Sequence, residues 1–113
     1  MANRIKWTLE EAIALYDIYF KADRNISIDN NTFQQLSNIM QNRAKKLNIK
    51  VDEKYRNITG LSMQIKCIHF IVTNGENGLS NASKVFYDTY NIYKTEPNKF
   101  YAILNQFYEK YGI

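Results

Sequence analysis

YRNITGLSMQIKCIHF, residues Tyr55–Phe70, joins the most basic part of the sequence to a long apolar run. Ile58, Leu61, Ile65, Ile68 and Val72 recur at helical spacing, and Met63, Phe70 and Ile71 broaden that stripe. The period predicts an α-helix, and apolar residues around most of its circumference predict a central place in a bundle. Asn57 is positioned to cap it by accepting from a first-turn amide. Gly60 costs up to about 1 kcal/mol relative to Ala in a helix. Close approach of another backbone, or of a phosphate to the helix start, accounts for accepting that cost. His69, the single histidine, reads as a hydrogen-bonded core or boundary residue, and Cys67 as a small buried hydrophobe.

Helical patterning continues on both sides. Thr8-Leu-Glu-Glu11 has the form of a capping box, with Trp7 placed to staple onto Ala12. Leu9, Ala12, Ile13, Tyr16, Tyr19 and Phe20 then carry a first helix to about Lys21. The Asx-rich segment 23–31 reads as a turn, with Asn31 or Thr32 as the next cap. Phe33, Leu36, Ile39, Met40, Ala44 and Leu47 mark a second helix. Ile49-Lys-Val51 is either a brief strand or an extended loop, in a connection too long for a helix-turn-helix. After the Asn-Gly loop at 74–78, a fourth helix starts within 80–83 and a fifth opens at Thr95-Glu-Pro-Asn98. The expected architecture is all-α, one domain of about five helices, with a loosely held basic tail at residues 1–6 and a minor extended segment near 49–51.

Composition sets further bounds. The 113 residues suffice for one core without staples. One cysteine excludes an internal disulfide and a Cys-based zinc site. No apolar run approaches membrane-spanning length and no secretory leader pattern occurs, so the expectation is a soluble, cytoplasmic protein with no membrane partner. A lone histidine and scattered acids provide neither a metal centre nor a nucleophile–base pair. No phosphate-cradling Walker loop or dinucleotide fingerprint is present. The chain therefore reads as non-enzymatic, without metal or cofactor.

The net charge of +4 is localised. Residues 1–42 sum to −1 and residues 67–113 to zero, whereas residues 43–66 sum to +5. Such a concentrated positive field suits a phosphate backbone. Arg43, Lys45, Lys46, Lys50 and Lys54 are candidate backbone contacts, although the first three also suit the negative end of the second helix. Arg56 and Asn57 stand where free amides and a positive dipole end can hold a phosphate. Asn57 has capping as its competing role, and Arg56 a structural pair with an acid. Lys66 lies on the same helix. Lys84, a cation in a first turn where the dipole disfavours it, hints at a ligand contact.

Two blocks carry a resemblance. Trp7-Thr-Leu-Glu-Glu11 with Tyr19-Phe20, and Tyr55-Arg-Asn-Ile-Thr-Gly-Leu-Ser-Met-Gln-Ile65, are followed by Gly78-Leu79 and Ser83-Lys84. In order and spacing they resemble a module from the N-terminal region of HNH-type restriction endonucleases that cut modified DNA. Gln64 stands where a lysine is common in that module, and the 113 residues contain no HNH segment. The resemblance implies a helical DNA-binding or DNA-positioning module of prokaryotic restriction or phage defence, with DNA preferred over RNA and no nuclease activity of its own.

The nucleic-acid reading requires the cations of residues 43–66 to share one accessible face, with Arg56 free of an internal carboxylate. The competing reading is a protein-interaction module, such as a phage-encoded inhibitor or an oligomerisation domain. It would act through Tyr87, Tyr90, Tyr93, Tyr101, Tyr108 and Tyr111 of the C-terminal helices.

Overall fold

The computed structural model describes residues 5–112. It contains five helices: α1 Leu9–Lys21, α2 Asn30–Lys46, α3 Ile58–Val72, α4 Lys84–Thr95 and α5 Pro97–Tyr111. No strand occurs among the described residues, and residues 49–51 are irregular. The expected all-α bundle is what forms.

The helix starts follow local chemistry. Thr8 and Glu11 close the capping box: Thr8 Oγ1 accepts from the Glu11 amide, and the Glu11 carboxylate accepts from the Thr8 amide at 3.2 Å. α2 begins earlier than the Asn31 or Thr32 cap anticipates. Asp29 caps it instead, accepting from the Asn31 amide at 3.0 Å. Asn57 caps α3 through the Gly60 amide at 2.8 Å. A Cβ on Gly60 would sit 3.2 Å from that Asn57 oxygen, so the glycine leaves room for the cap itself. Pro97 occupies the first turn of α5, where no amide donor is needed.

The central element is α1, not α3. Every residue from Glu11 to Tyr19 is buried, and α1 packs against all four other helices. Ala12 and Ala14 let neighbours approach closely, while Ile13, Leu15 and Ile18 fill the space between them. Asp17, also buried, has no well-aligned hydrogen bond on Oδ2, but Lys21 Nζ reaches it at 3.0 Å. By contrast α3 leaves Thr59, Met63 and Lys66 exposed.

Aromatic rings tie α4 and α5 to α1. Phe20 stacks on Tyr93 with centroids 4.3 Å apart, Tyr93 meets Phe100 edge-on at 5.2 Å, and Tyr16 stacks on Tyr90 at 6.0 Å. Each such pair contributes about 0.5–1.5 kcal/mol beyond burial. Tyr16 also donates its hydroxyl to the Phe86 carbonyl at 2.7 Å, and burial pushes its ionisation well above the ordinary tyrosine range. Tyr19 Oη lies 2.7 Å from His69 Nδ1, which satisfies the histidine internally.

The loop after α3 folds back onto it. Gly78 has φ +103°, and a Cβ there would lie 2.4 Å from the Lys66 carbonyl oxygen. Leu79 donates its amide to that same oxygen at 3.2 Å. Gly78 and Leu79 of loop 73–83 therefore sit against the backbone of α3 at Lys66 and Phe70, in its C-terminal half. Among the described residues no helix is long and apolar enough to cross a membrane.

Candidate nucleic-acid interface

Glu11 is fully buried, and its carboxylate is the centre of the region the sequence singles out. Arg56 donates to it twice, from Nε at 2.8 Å and from Nη2 at 3.1 Å. Thr8 donates its hydroxyl at 3.0 Å and Tyr55 its hydroxyl at 3.3 Å. Arg43 Nη1 stands 4.0 Å away, while Arg43 Nε donates to Glu10 at 2.9 Å. Burial opposes the Arg43 charge, but the hydrogen bond to Glu10 and the charges of Glu11 and Glu10 outweigh it and hold that guanidinium more firmly protonated. Burial raises the Tyr55 hydroxyl above its usual range, and Glu11 adds to the effect.

The remaining Arg56 donors reach the Ile5 and Lys6 carbonyls, and its guanidinium lies over the Trp7 ring, 3.7 Å from the centroid. Trp7 thus packs on Arg56 and, edge-on at 5.7 Å, on Phe86. Residues 5 and 6 are held by Arg56 instead of trailing as a loose tail. Residues 1–4 lie outside the described part of the chain.

These contacts redistribute the expected anion-binding residues. Arg56, with its side chain only 7% exposed, is locked against Glu11, and Arg43 is buried against Glu10. Asn57 uses its side-chain oxygen as the α3 cap. The anion-receptive centre expected at the start of α3 is therefore not built from these three residues: Glu11 engages the Arg56 guanidinium and Glu10 that of Arg43. Lys46 is exposed but donates to the Lys110 carbonyl at 2.7 Å. Lys66 is exposed outside the groove described next, beside the loop that follows α3. Lys84 pairs with Asp88 at 3.0 Å across one helical turn, a surface contact worth little and open to exchange.

What the fold does assemble is a groove of about 1320 Å³ between the Ile5–Trp7 arm, the 50–56 connection, α3 and the start of α4. Lys6, Lys50, Lys54, Arg56 and Lys84 line it, with Asp52 the single acid. Lys6, Lys50 and Lys54 form no ion pair with any described residue. Trp7, Val51, Met63 and Val85 supply apolar surface to the same groove. Lys50 also lines a smaller hollow with Lys45, Gln41 and Asn42, so Lys45, Lys50 and Lys54 occupy adjoining surfaces. Lys6 and Met63 had no sequence signal as groove residues, because the arm reaches α3 only through Arg56.

The C-terminal tyrosines are mostly internal. Tyr90, Tyr93 and Tyr108 are half-buried and Tyr111 is buried, leaving Tyr87 and Tyr101 exposed. Among the described residues no group of three or more His, Cys, Asp or Glu side chains is arranged to hold a metal ion.

No family model matches the chain, and neither curated protein sequences nor solved structures give a match.

Proposed function

We propose that this protein binds nucleic acid, without catalysis, through the lysine-lined groove beside α3. The observation that carries the reading is the placement of Lys6, Lys50 and Lys54, cations without internal partners, around one concavity with a single carboxylate. Cations left unpaired around a concave surface focus a positive potential and favour polyanions. The requirement that Arg56 be free of an internal carboxylate is not met, so this reading stands on the lysines alone: Arg43, Arg56 and Asn57 belong to the frame, and Lys84 and Lys45 extend the charged rim. Arg56 acts indirectly, by fixing the arm that carries Lys6.

The resemblance of Trp7–Glu11 and Tyr55–Ile65 to the module of HNH-type restriction endonucleases favours DNA, and with it a cytoplasmic role in restriction or phage defence. Both blocks meet at the Glu11–Arg56 pair, so residues that carry the resemblance belong to the frame of this fold. A protein-interaction role through the C-terminal tyrosines has narrower support, since only Tyr87 and Tyr101 of that set are exposed. The test is binding of a labelled oligonucleotide across a salt series, compared between the wild type and a variant with Lys50 and Lys54 reversed in charge. Salt-sensitive binding that the variant loses supports the reading, and binding that the variant keeps removes it.

A further inference from the structure

We infer that the groove takes single-stranded nucleic acid in preference to duplex, an inference that rests on the reading above. Duplex is commonly read by a helix laid in the major groove, a channel about 12 Å wide that needs an exposed helix face. On α3, which lines the groove, the exposed residues Thr59, Met63 and Lys66 include one cation, and Gly78 and Leu79 of the following loop sit on the Lys66 carbonyl. The unpaired lysines stand on the arm and the 50–56 connection, not on that helix. The lysines instead border a concavity of about 1320 Å³, with room for unstacked nucleotides.

The floor of that concavity matches bases as its rim matches phosphates. Met63 is 52% exposed and stands in the groove with Trp7, Val51 and Val85. A duplex hides its base faces and gains nothing from such a surface. A single strand can set its bases on the apolar floor while its phosphates meet Lys6, Lys50 and Lys54. Gln64 and Asn81, also on the lining, offer amide groups to base edges without selecting one base.

Trp7 is the single tryptophan of the chain and lines the groove, so its emission reports on changes there and at its Arg56 and Phe86 contacts. The experiment titrates the full chain with oligothymidine and oligouridine of about twelve nucleotides, a length within the usual range of single-strand sites, and with a duplex of equal length. Trp7 emission and the anisotropy of a labelled strand are read together. The expected result is a change in Trp7 emission that saturates with the single strand, an affinity about tenfold or more above the duplex, and a loss of about fivefold in single-strand affinity for Met63→Ala with duplex affinity unchanged. The oligothymidine and oligouridine arms separate DNA from RNA. Equal or tighter duplex binding, or single-strand binding by anisotropy without any Trp7 response, overturns the inference and leaves nucleic-acid binding standing. Failure of every nucleic acid to bind removes both.

Discussion

Arg56 and Glu11, 45 residues apart in sequence, form a two-pronged ion pair inside the protein, with Nε and Nη2 at 2.8 and 3.1 Å from the two carboxylate oxygens. Arg56 adopts φ +52° to make it, a left-handed backbone that costs a non-glycine residue about 1–2 kcal/mol. The pair joins the start of α1 to the start of α3, and through Trp7 it fixes one wall of the groove.

Breaking this pair from the acidic side strands the Arg56 guanidinium, while Arg43 keeps Glu10. Glu11→Gln is expected to destabilise the fold by about 3–5 kcal/mol, the usual cost of leaving a buried charge without its partner. In a domain of this size that lowers Tm by about 10 °C or more. Adding Arg56→Met to Glu11→Gln should recover part of the loss, because the second change removes the stranded charge. Thermal and urea unfolding of the single and double variants measure both effects.

Arg56→Lys separates structure from binding. The lysine keeps the charge but loses the fork and the stacking on Trp7, so stability should fall by about 1–2 kcal/mol. If Arg56 serves the frame, oligonucleotide affinity measured well below the unfolding transition should fall by less than on reversing a groove lysine, through the loosened Lys6 arm. A loss comparable to that of a groove lysine would return Arg56 to the contact surface.

Gly78 is the tightest steric point between the 73–83 loop and α3. Gly78→Ala forces a Cβ to within 2.4 Å of the Lys66 carbonyl oxygen and 2.7 Å of the Phe70 amide nitrogen, both backbone atoms. Its φ of +103° is also one that alanine rarely adopts. A loss of about 2 kcal/mol or more is expected. Gly75→Ala meets only the Phe70 ring, at 3.5 Å, and should cost about 1 kcal/mol from its positive φ. Urea unfolding midpoints should rank the two in that order.

Alkaline stability should show a delayed, cooperative loss. Burial raises the Tyr16 and Tyr55 hydroxyls, and burial together with the nearby Asp17 pushes Tyr108 up to about 12. Groups whose folded ionisation lies above the unfolded value of about 10 stabilise the protein fully below that pH. Their contribution fades as pH climbs from there through the folded values. Phenolate absorbance and far-ultraviolet circular dichroism should therefore show Tyr16, Tyr55 and Tyr108 ionising together with loss of helix.

Much of the fold is legible in the amino-acid order, because it depends on local chemistry. The Thr8–Glu11 box, the Asn57 cap and Pro97 in a first turn each act within about four residues, and the apolar stripes give the helices between them. The choice of central helix is less legible. The broad apolar face of α3 competes with that of α1, and what separates them is the small size of Ala12 and Ala14 and the pairing of Asp17 with Lys21. Glu11 is the instructive residue at the site. Its capping role is readable from spacing, yet its carboxylate also takes the guanidinium of Arg56 across 45 positions. Charge counting cannot anticipate this, since it treats each cation as available until a carboxylate is brought to it. The lysines 50 and 54, on an exposed connection with no acid delivered to them, are the part of the candidate surface that charge alone identified.

The most direct measurement is the affinity of a single-stranded oligonucleotide for the wild type and for Lys50→Glu/Lys54→Glu, taken at several salt concentrations. Each single-strand phosphate neutralised contributes about −0.7 to the slope of log affinity against log salt, so Lys6, Lys50 and Lys54 together predict a slope of about −2. In the double variant the slope should shrink by about 1.4 and affinity at low salt should fall at least tenfold, with the helical circular dichroism unchanged. An unchanged slope and affinity in a folded double variant would contradict the account.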